Sequence, residues 1–446
     1  MENFLKKVSF EKYSSNKDSG VEWLGEIPEH WRTSKLRNIG VFSASGIDKY
    51  IKKYQSLVKI INFTDVYSNK NFVLDSSYDF MIVSTEEANR KKHLVNLGDL
   101  IFLPSSETYE DLGSAALINE NLENTSFSYH VIRFRFQKDF NHSFKKYLTN
   151  NDYVLTQFSR QGKGTTRKII GRGVFKNIQI IVPPKEEQTA IAEFLDRKTA
   201  LIDKAIDIKE KQIELLKERR QILIHKAVTR GLDPNVKMKD SGVEWIGKIP
   251  EHWEVKRLKY VSEIVYGISP HEKTYNNIGV GVILVNGPAE YSDTEFGFTK
   301  AIKWTTNPSK FAKQGSLLFC LRGSTTGRLN ICHTDLAIGR GCASIVTFGN
   351  QDYLTNAIIA LKERILGTFK GSTFPSITSS DLDNYILPNP PLNDQNKISL
   401  YLKNISDKIE AAITQKLNEI IKLKEYKATL INSAVTGKIK IIIKNE

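Results

Sequence analysis

The chain has 446 residues, which is too long for a single hydrophobic core. Its residues are 40% hydrophobic and 26% charged, a composition that is typical of folded proteins and excludes disorder over most of the chain. No apolar run approaches the roughly 18 residues of a membrane span, and the start MENFLKKVSF lacks the apolar core of a signal peptide, so we expect a multidomain cytoplasmic protein. With 64 Lys and Arg against 50 Asp and Glu, the formal net charge of +14 favours a polyanionic partner, because a cationic surface gains affinity for a phosphate backbone by releasing counterions.

One stretch of sequence occurs twice. KDSGVEWLGEIPEHW at residues 17–31 returns as KDSGVEWIGKIPEHW at residues 239–253, and the copies differ only at Leu24/Ile246 and Glu26/Lys248. This repeat predicts two copies of one structural unit. Because domains that bind different ligands would differ in their binding elements, we expect the repeated stretch to belong to a structural frame shared by both units. Its tryptophans are predicted to fix each unit to that frame or to a partner subunit: Trp23, Trp31, Trp245 and Trp253.

Each repeat is followed by a long segment that diverges from its counterpart in the other half. The first runs from about Arg32 to Val182, and the second runs from about Glu254 to Asn389. Both contain short runs rich in β-branched and aromatic residues, such as VIRFRF at 131–136 and SIVTF at 344–348, separated by glycine-rich turns. We therefore expect a mixed α/β domain with a partly antiparallel sheet in each half.

Glycine, hydroxyl and basic residues cluster in loops late in each divergent segment. SRQGKGTTRK at 159–168 and FKGSTFPS at 369–376 lie at matching places, and the second segment adds RGSTTGR at 322–328 and GRG at 339–341. Glycine permits close approach to a phosphate backbone, and Arg and Gln side chains bond base edges. The nearest equivalent in the first segment, PSSETY at 104–109, is acidic. The predicted DNA contacts are Arg160, Gln161, Lys163, Thr165, Thr166, Arg167, Arg322, Ser324, Thr325, Arg328, Arg340, Lys370, Ser372 and Thr373.

A Pro-Pro pair precedes a long helical pattern in each half. The pairs are Pro183-Pro184 and Pro390-Pro391, and the patterns stop at Gly231 and Gly437. A heptad rhythm lasts about four repeats in both helices, which predicts that they pair with each other as an antiparallel coiled coil. The predicted seam includes Leu195, Ile202, Leu216 and Leu223 in the first helix and Leu402, Ile409, Leu423 and Leu430 in the second.

Basic residues interrupt both seams at matching positions. Lys209 and Lys416 share one such position, and Arg220 and Lys427 share another. A cation there either fixes register and partner choice, or reaches water with its charged group while its stem packs. At the usual helical rise, the seam from Leu195 to Leu223 would span ~42 Å, comparable with the ~34–36 Å of one duplex turn.

No catalytic pattern is recognisable in the sequence. GKGTT at 162–166 lacks the upstream glycine of a phosphate-binding loop, and NPPL at 389–392 has leucine where an amino-methylating DNA methyltransferase has an aromatic residue that stacks on the flipped base. The histidines form no metal-binding pattern, and Cys320, Cys332 and Cys342 are expected to be buried thiols. The sequence therefore predicts a binding protein with no catalytic residue, metal or cofactor of its own.

Together, the duplicated motifs resemble the DNA-specificity subunit of a type I restriction-modification enzyme. The resemblance rests on the repeated stretch opening each half, on PPKEEQTAIAEFLD and PPLNDQNKISLYLK opening the helices, and on KAVTRG and SAVTGK closing them, and it covers essentially the whole chain. It implies an α+β fold with a pseudo-two-fold internal repeat. Two globular α/β target recognition domains would occupy residues 1–184 and 232–390, and coiled-coil helices would occupy residues 185–231 and 391–446.

For function, the resemblance implies a non-catalytic subunit that binds a bipartite DNA site, with each recognition domain reading one half. The helices would set the spacer and dock two methylation subunits that carry S-adenosylmethionine. Restriction subunits would bring ATP and magnesium chemistry. Because the divergent segments differ, we expect an asymmetric target. Two alternatives remain open at this point: a self-contained DNA methyltransferase, and a coiled-coil scaffold without sequence-specific DNA binding.

Overall fold

The computed structural model describes residues 11–21, 24–67, 69–292, 297–323, 325–367 and 376–441. The chain divides into two compact units. The first unit comprises Met1–Lys209 and Asn418–Glu446, and the second unit comprises Glu210–Leu417. Each unit therefore contains one divergent segment and a part of each long helix. None of the helices in the described ranges is long and apolar enough to cross a membrane.

In the described part of the first unit, short strands form a five-stranded sheet, a three-stranded sheet and three two-stranded sheets. They are β1 (Asn16–Asp18), β2 (Glu26–Pro28), β3 (Arg32–Lys35), β4 (Gly40–Ser43), β5 (Ser56–Ile61), β6 (Val73–Leu74), β7 (Met81–Thr85), β8 (Leu100–Phe102), β9 (Ser105–Ser106), β10 (Ala115–Ile118), β11 (Thr125–Phe127), β12 (Ile132–Phe136), β13 (Lys168–Ile169) and β14 (Gln179–Val182). The main sheet has the order β4-β12-β8-β10-β6 and is antiparallel except for β10–β6. In the second sheet β5 runs parallel to β11 and antiparallel to β7.

The second unit repeats this topology with different side chains. Its strands are β15 (Met238–Asp240), β16 (Lys248–Pro250), β17 (Glu254–Arg257), β18 (Ser262–Tyr266), β19 (Tyr275–Asn276), β20 (Val282–Val285), β21 (Trp304–Thr305), β22 (Phe311–Ala312), β23 (Leu317–Cys320), β24 (Leu329–Ile331), β25 (Leu336–Ile338), β26 (Cys342–Thr347) and β27 (Ile386–Asn389). β18, β26, β23 and β24 form an antiparallel sheet, and in the other sheet β20 runs parallel to β25 and antiparallel to β21.

The helices are short except for two. They are α1 (Phe63–Tyr67), α2 (Glu87–His93), α3 (Phe144–Thr149), α4 (Asp152–Gln161), α5 (Arg172–Asn177), α6 (Lys185–Arg230), α7 (Leu258–Val261), α8 (Gln351–Gly367), α9 (Ser379–Asp383) and α10 (Leu392–Val435), with 3-10 turns at Leu36–Asn38, Glu272–Thr274 and Pro288–Glu290. The long helices α6 and α10 begin after the Pro-Pro pairs. They end before glycines with φ of +74° at Gly231 and +75° at Gly437, the left-handed conformation that terminates a helix.

Within the first unit, α6 and α10 run antiparallel. Lys427 Nζ of α10 lies 2.7 Å from both carboxylate oxygens of Asp203 in α6. Further along α6, Lys209 Nζ lies 2.7 Å from Glu419 Oε2. These two seam lysines are therefore paired across the seam rather than only extended to water. Sliding either helix by one turn would separate both pairs, so the charges favour one register.

The second unit contains the corresponding stretch of the helix pair. There Arg220 Nη1 lies 3.2 Å from Glu410 Oε2. Of the predicted seam residues, Leu216, Leu223 and Leu423 are half-buried. Buried seam residues in the two units are Leu195, Ile202, Ile206, Ile213, Leu402, Ile409, Ile413, Ile420 and Leu430. The heptad pattern thus identifies the buried face of each helix, and the predicted α+β fold with an internal repeat is confirmed.

In the first unit, the duplicated stretch holds a carboxylate in the first turn of α6. Glu187 Oε2 accepts hydrogen bonds from Trp31 Nε1 at 3.1 Å and from the Tyr13 hydroxyl at 2.6 Å. Glu187 Oε1 lies 2.5 Å from His30 Nε2. Trp31 is fully buried, so its indole N–H needs an acceptor inside the protein, and this carboxylate supplies it.

The second unit makes the same contact at the start of α10. Asp394 Oδ2 accepts a hydrogen bond from Trp253 Nε1 at 3.0 Å and lies 2.8 Å from His252 Nε2. Burial raises the pKa of Asp394, but the bonds to His252 and Trp253 outweigh it, and the pKa lies below its ordinary value. The repeated histidine and tryptophan therefore have one structural task in both units.

The residue after each carboxylate is a glutamine, and the two glutamines make equivalent contacts in the two units. Gln188 Oε1 accepts the N–H of Asn141 at 3.0 Å, and Gln395 Oε1 accepts the N–H of Asn350 at 2.9 Å. Each glutamine also donates to the carbonyl of the first proline in its Pro-Pro pair, at 3.0 and 2.9 Å. These bonds tie the divergent segment of each unit to the start of the helix that follows it.

The same tryptophans lie beside the end of the other long helix. A Cβ built on Gly437 would lie 2.3 Å from Pro28 Cδ and 3.1 Å from Trp31 Cζ3. In the second unit, a Cβ on Gly231 would lie 3.3 Å from Trp253 Cζ2. Each copy of the stretch thus contacts the start of one long helix and the end of the other.

The chain also pairs with itself just beyond Gly437. The N–H of Lys440 donates to the carbonyl oxygen of Glu11 at 2.8 Å, and the two residues form a β-bridge. In the second unit the corresponding connection is covalent, because residues 232–237 join α6 to β15 directly. Trp245 of the second copy is 37% exposed, while Trp23 lies outside the described residues.

The three cysteines lie in the core of the second unit, as predicted. Cys320, Cys332 and Cys342 are buried and unbonded to one another, and the Tyr291 hydroxyl lies 3.5 Å from Cys342 Sγ. Burial raises the pKa of Cys332 and of Cys342 to about 12. These thiols are therefore protonated packing groups near neutral pH.

Replacing the two helix-ending glycines tests the contact with the repeated stretch. Gly437→Ala and Gly231→Ala both place a Cβ at positive φ, which costs about 1–2 kcal/mol. Only at Gly437 does that Cβ also meet a proline ring atom at 2.3 Å. We expect Gly437→Ala to lower the urea midpoint of unfolding, followed by helical circular dichroism, more than Gly231→Ala does. Equal midpoints would contradict the contact.

Thiol labelling tests the packing of the second unit. Because burial raises the pKa of Cys332 and Cys342 to about 12, little thiolate is present at about pH 8. We expect Ellman's reagent to leave all three cysteines unmodified in the native protein and to modify all three in denaturant. Rapid native reaction of one thiol would show that the packing described here is wrong at that residue.

Candidate nucleic-acid interface

Residues 159–168, hereafter the basic glycine loop, fold back on themselves in the first unit. Lys163 and Ile169 exchange backbone hydrogen bonds at 3.0 and 2.8 Å. Gly164 has φ +117°, and a Cβ on it would lie 2.2 Å from the carbonyl oxygen of Arg167, so only glycine fits there. Pairing of β13 with β9 places the loop beside the acidic segment 104–109. The loop is therefore a closed turn whose side chains point outward.

Aromatic rings hold two cations of this loop. Arg167 Nε donates to Ser105 Oγ at 3.1 Å, and its guanidinium carbon lies 4.8 Å from the ring centre of Phe63. Lys168 Nζ lies 4.9 Å from the ring centre of Tyr109. Such contacts orient a charge before any ligand arrives. The other predicted contacts in this region are exposed: Arg160, Gln161, Lys163, Thr165 and Thr166.

In the second unit, the loop 322–328 lies where the first unit has the acidic segment 104–109, and most of the counterpart of residues 159–168 lies outside the described residues. Arg322 forms a β-bridge with Ser376, the counterpart of the β9–β13 pair, and Arg322 is exposed. Arg328 is half-buried and donates from Nη2 to the carbonyl oxygen of Ser292 at 2.7 Å. Thr325 is half-buried as well. The Arg322 side chain is thus open to solvent, whereas Arg328 helps to hold the loop in place.

Arg340 lies at the tip of the turn between β25 and β26. A Cβ on Gly339 would lie 1.8 Å from Asn286 Oδ1, so the turn packs directly against its neighbour. The N–H of Arg340 donates to Ser269 Oγ at 3.1 Å, and the side chain is exposed. Arg340 is therefore a solvent-facing cation on a fixed backbone.

Some predicted contacts lie outside the described residues. They are Ser324, Lys370, Ser372 and Thr373. Over the ranges that are described, no group of His, Cys, Asp and Glu is arranged to hold a metal ion.

A further basic surface of the first unit escaped the sequence analysis. Residues 48–54, with the sequence DKYIKKY, are all exposed. In the neighbouring turn, burial lowers the pKa of His130, and so do the charges of Lys49 and Arg167. The charges of both this segment and the basic glycine loop therefore act on His130. The interleaving of lysine and tyrosine is the sequence signal that would have found it.

The chain matches a family model at both units. The model, described as the type I restriction modification DNA specificity domain, matches residues 28–218 and 250–421. The chain is 28% identical over 433 residues to a putative type I restriction enzyme specificity subunit, MjaX, of Methanocaldococcus jannaschii, covering 94% of this chain and 96% of that protein. It is also 28% identical over 304 residues to the MjaVIII specificity subunit of the same organism, covering 63% and 67% of the two chains.

Solved structures share the fold. One, from work on complex assembly and conformational transition of the type I R-M system, has a TM-score of 0.71 at 20% identity over 93% of this chain and 99% of that chain. The HsdS subunit from Thermoanaerobacter tengcongensis has a TM-score of 0.51 at 20% identity, over 93% of this chain and 98% of its own.

Proposed function

The chain belongs to the type I restriction modification DNA specificity family, and from that premise we propose that it selects the DNA target of a restriction-modification complex without catalysing a reaction itself. Each unit would read one half of a bipartite duplex site. The observation that carries this is that a basic, glycine-rich loop lies beside the β9–β13 pair in the first unit and beside its counterpart, the Arg322–Ser376 bridge, in the second, while the frame of the two units is repeated. The net charge of +14 supports a polyanionic ligand.

The two half-sites are proposed to differ. In the first unit the exposed candidates include Lys163 and Gln161, and in the second they include Arg322 and Arg340. Arg and Gln favour different base edges in the major groove. The paired helices would set the spacer between the half-sites, because ion pairs such as Lys209–Glu419 favour a single register.

Two methylation subunits are the proposed direct partners. The repeated stretch supports this number, since it makes the same tryptophan–carboxylate contact in both units and leaves equivalent residues such as Lys17 and Lys239 exposed. The methylation subunits would bind S-adenosylmethionine, and restriction subunits would supply the ATP- and magnesium-dependent steps. The complex would act in the cytoplasm.

The methylated sequence tests the bipartite proposal. The chain is expressed with its methylation subunit, and modified bases in the host DNA are mapped by sequencing. We expect one motif with two unlike half-sites at a fixed spacing. A palindromic motif would contradict the asymmetry. Methyl transfer by the purified chain alone would favour a self-contained methyltransferase, and binding without preference over random duplex would favour a scaffold.

The salt dependence of DNA binding tests the basic glycine loop. If Lys163 contacts a phosphate, Lys163→Ala should weaken binding to all sequences alike and reduce the slope of log K against log salt by about 0.9. Lys211→Ala is the matched control, because Lys211 is an exposed lysine on α6 that pairs with Glu214 in its own helix. Fluorescence anisotropy over a salt series gives both slopes, and identical slopes would exclude the Lys163 contact.

A further inference from the structure

A loop in the first unit exposes large apolar side chains among lysines. Tyr50, Ile51 and Tyr54 are 65%, 68% and 104% exposed. They all lie within residues 48–54, hereafter the tyrosine–lysine loop. Clustered exposed apolar groups on a folded protein mark a contact surface. Nothing in the contacts described above uses these rings.

The backbone of the tyrosine–lysine loop is held on both sides. Just before it, Ile47 is buried in a small core with residues of β5 and β7. Across from it, Ser84 of β7 donates its N–H to the carbonyl of Tyr50 at 3.1 Å, and its hydroxyl accepts the N–H of Lys52 at 2.6 Å. The exposed rings are therefore carried on a fixed backbone, which reduces the ordering cost of binding.

Tyr54 has a backbone conformation that tyrosine rarely adopts. Its φ is +66°, a left-handed value that is costly for a bulky residue. Glycine would adopt the same conformation without strain. Because the ring makes no buried contact that would offset the strain, the fold alone does not explain why tyrosine stands here. Retained strain of this kind clusters at binding sites.

The tyrosine–lysine loop is also basic. It contains Lys49, Lys52 and Lys53 with a single acidic residue. A groove of about 460 Å³ separates it from α2, and its lining contains two lysines, Lys52 and Lys92, and two carboxylates, Asp48 and Glu86. The excess of positive charge therefore lies on the tyrosine–lysine loop itself, where rings and ammonium groups alternate, and this suits a polyanion with flat apolar parts.

The turn after β11 extends this surface toward the basic glycine loop. Tyr129 N–H donates to the carbonyl of Ile47 at 3.1 Å, and the Tyr129 ring centre lies 3.8 Å from that of His130. His130 in turn is near enough to Lys49 and Arg167 to feel both charges. The turn after β11 is therefore fixed beside the tyrosine–lysine loop, and the positive charge of the basic glycine loop acts on it.

The second unit has a chemically different segment at the same place in the fold. There the chain crosses from β18 to β20, as it crosses from β4 to β5 in the first unit. Ile268, Ile278 and Val280 are exposed in that segment, and Ser269 within it bonds to Arg340. The two segments thus have equivalent positions in the fold but different exposed side chains. Two units that recognise different half-sites require such a difference.

We propose that the tyrosine–lysine loop, together with Tyr129, contacts the bases of the half-site read by the first unit. Tyr50 and Tyr54 present apolar ring surface to base edges such as the thymine methyl group. Lys52 and Lys53 neutralise the adjacent phosphates. This inference rests on the proposed function and specifies which residues of the first unit carry it out.

Selection from a random duplex pool tests the inference. The full chain, purified with its methylation subunit, is incubated with the pool, and the bound DNA is sequenced. Wild type is expected to enrich a bipartite motif. Tyr50→Ala and Tyr54→Gly are each expected to lose sequence preference in the same half of that motif. They should bind the wild-type motif about tenfold more weakly or worse, the size of one lost base contact.

Two comparisons separate a reading role from a structural one. Glycine accepts the φ of +66° at position 54, so Tyr54→Gly should melt at the wild-type temperature or above it. A lower melting temperature would show that the ring supports the fold and would overturn the inference. Tyr260→Ala is the matched control, since Tyr260 is 64% exposed on α7 of the second unit, and it should keep the full motif at wild-type affinity.

The outcomes distinguish this inference from the function on which it rests. If wild type enriches no bipartite motif, the proposed function fails and the inference fails with it. If wild type enriches one and the loop variants keep both halves at wild-type affinity, only the inference is overturned. If the variants keep the motif but lose the co-purified methylation subunit, the loop is a protein-docking surface and its DNA role is overturned.

Discussion

Glu187 and Asp394 each place a carboxylate in the first turn of a long helix, where the repeated stretch supplies a tryptophan N–H and a histidine nitrogen. One charge therefore does two things at once: it complements the helix N-terminus, and it satisfies a buried indole. Because the same tryptophans pack beside Gly437 and Gly231, the sheets of each unit are positioned by this contact. The loops that differ between the units project from sheets fixed in this way.

Short-range patterns account for what the sequence predicts well. The seven-residue period identifies Leu195 and Leu402 as seam residues, and both are buried. The constant offset after the Pro-Pro pairs identifies Gln188 and Gln395 as equivalent, and they make equivalent bonds. The DNA contacts are a different matter, since exposure alone assigns no role, and residues such as Lys163 remain predictions.

Contacts between distant parts of the chain account for what the sequence does not predict. The position of Arg167 over Phe63 depends on the pairing of β9 with β13. No local sequence pattern predicts that pairing. The partner of Trp31 is a carboxylate that lies far along the chain, at Glu187. The unusual feature of Tyr54 is its positive backbone angle φ, which cannot be inferred from the residue type. Such features require coordinates.

The pairing of Glu11 with Lys440 connects the first and last parts of the described chain without a covalent bond. In the second unit, residues 232–237 make the equivalent connection through peptide bonds. The order of the two halves along the chain therefore depends on which of these two connections is covalent. Joining the bridged ends and opening the chain between Gly231 and Met238 would give a circular permutant with every element in place, in which the second half of the gene is translated first.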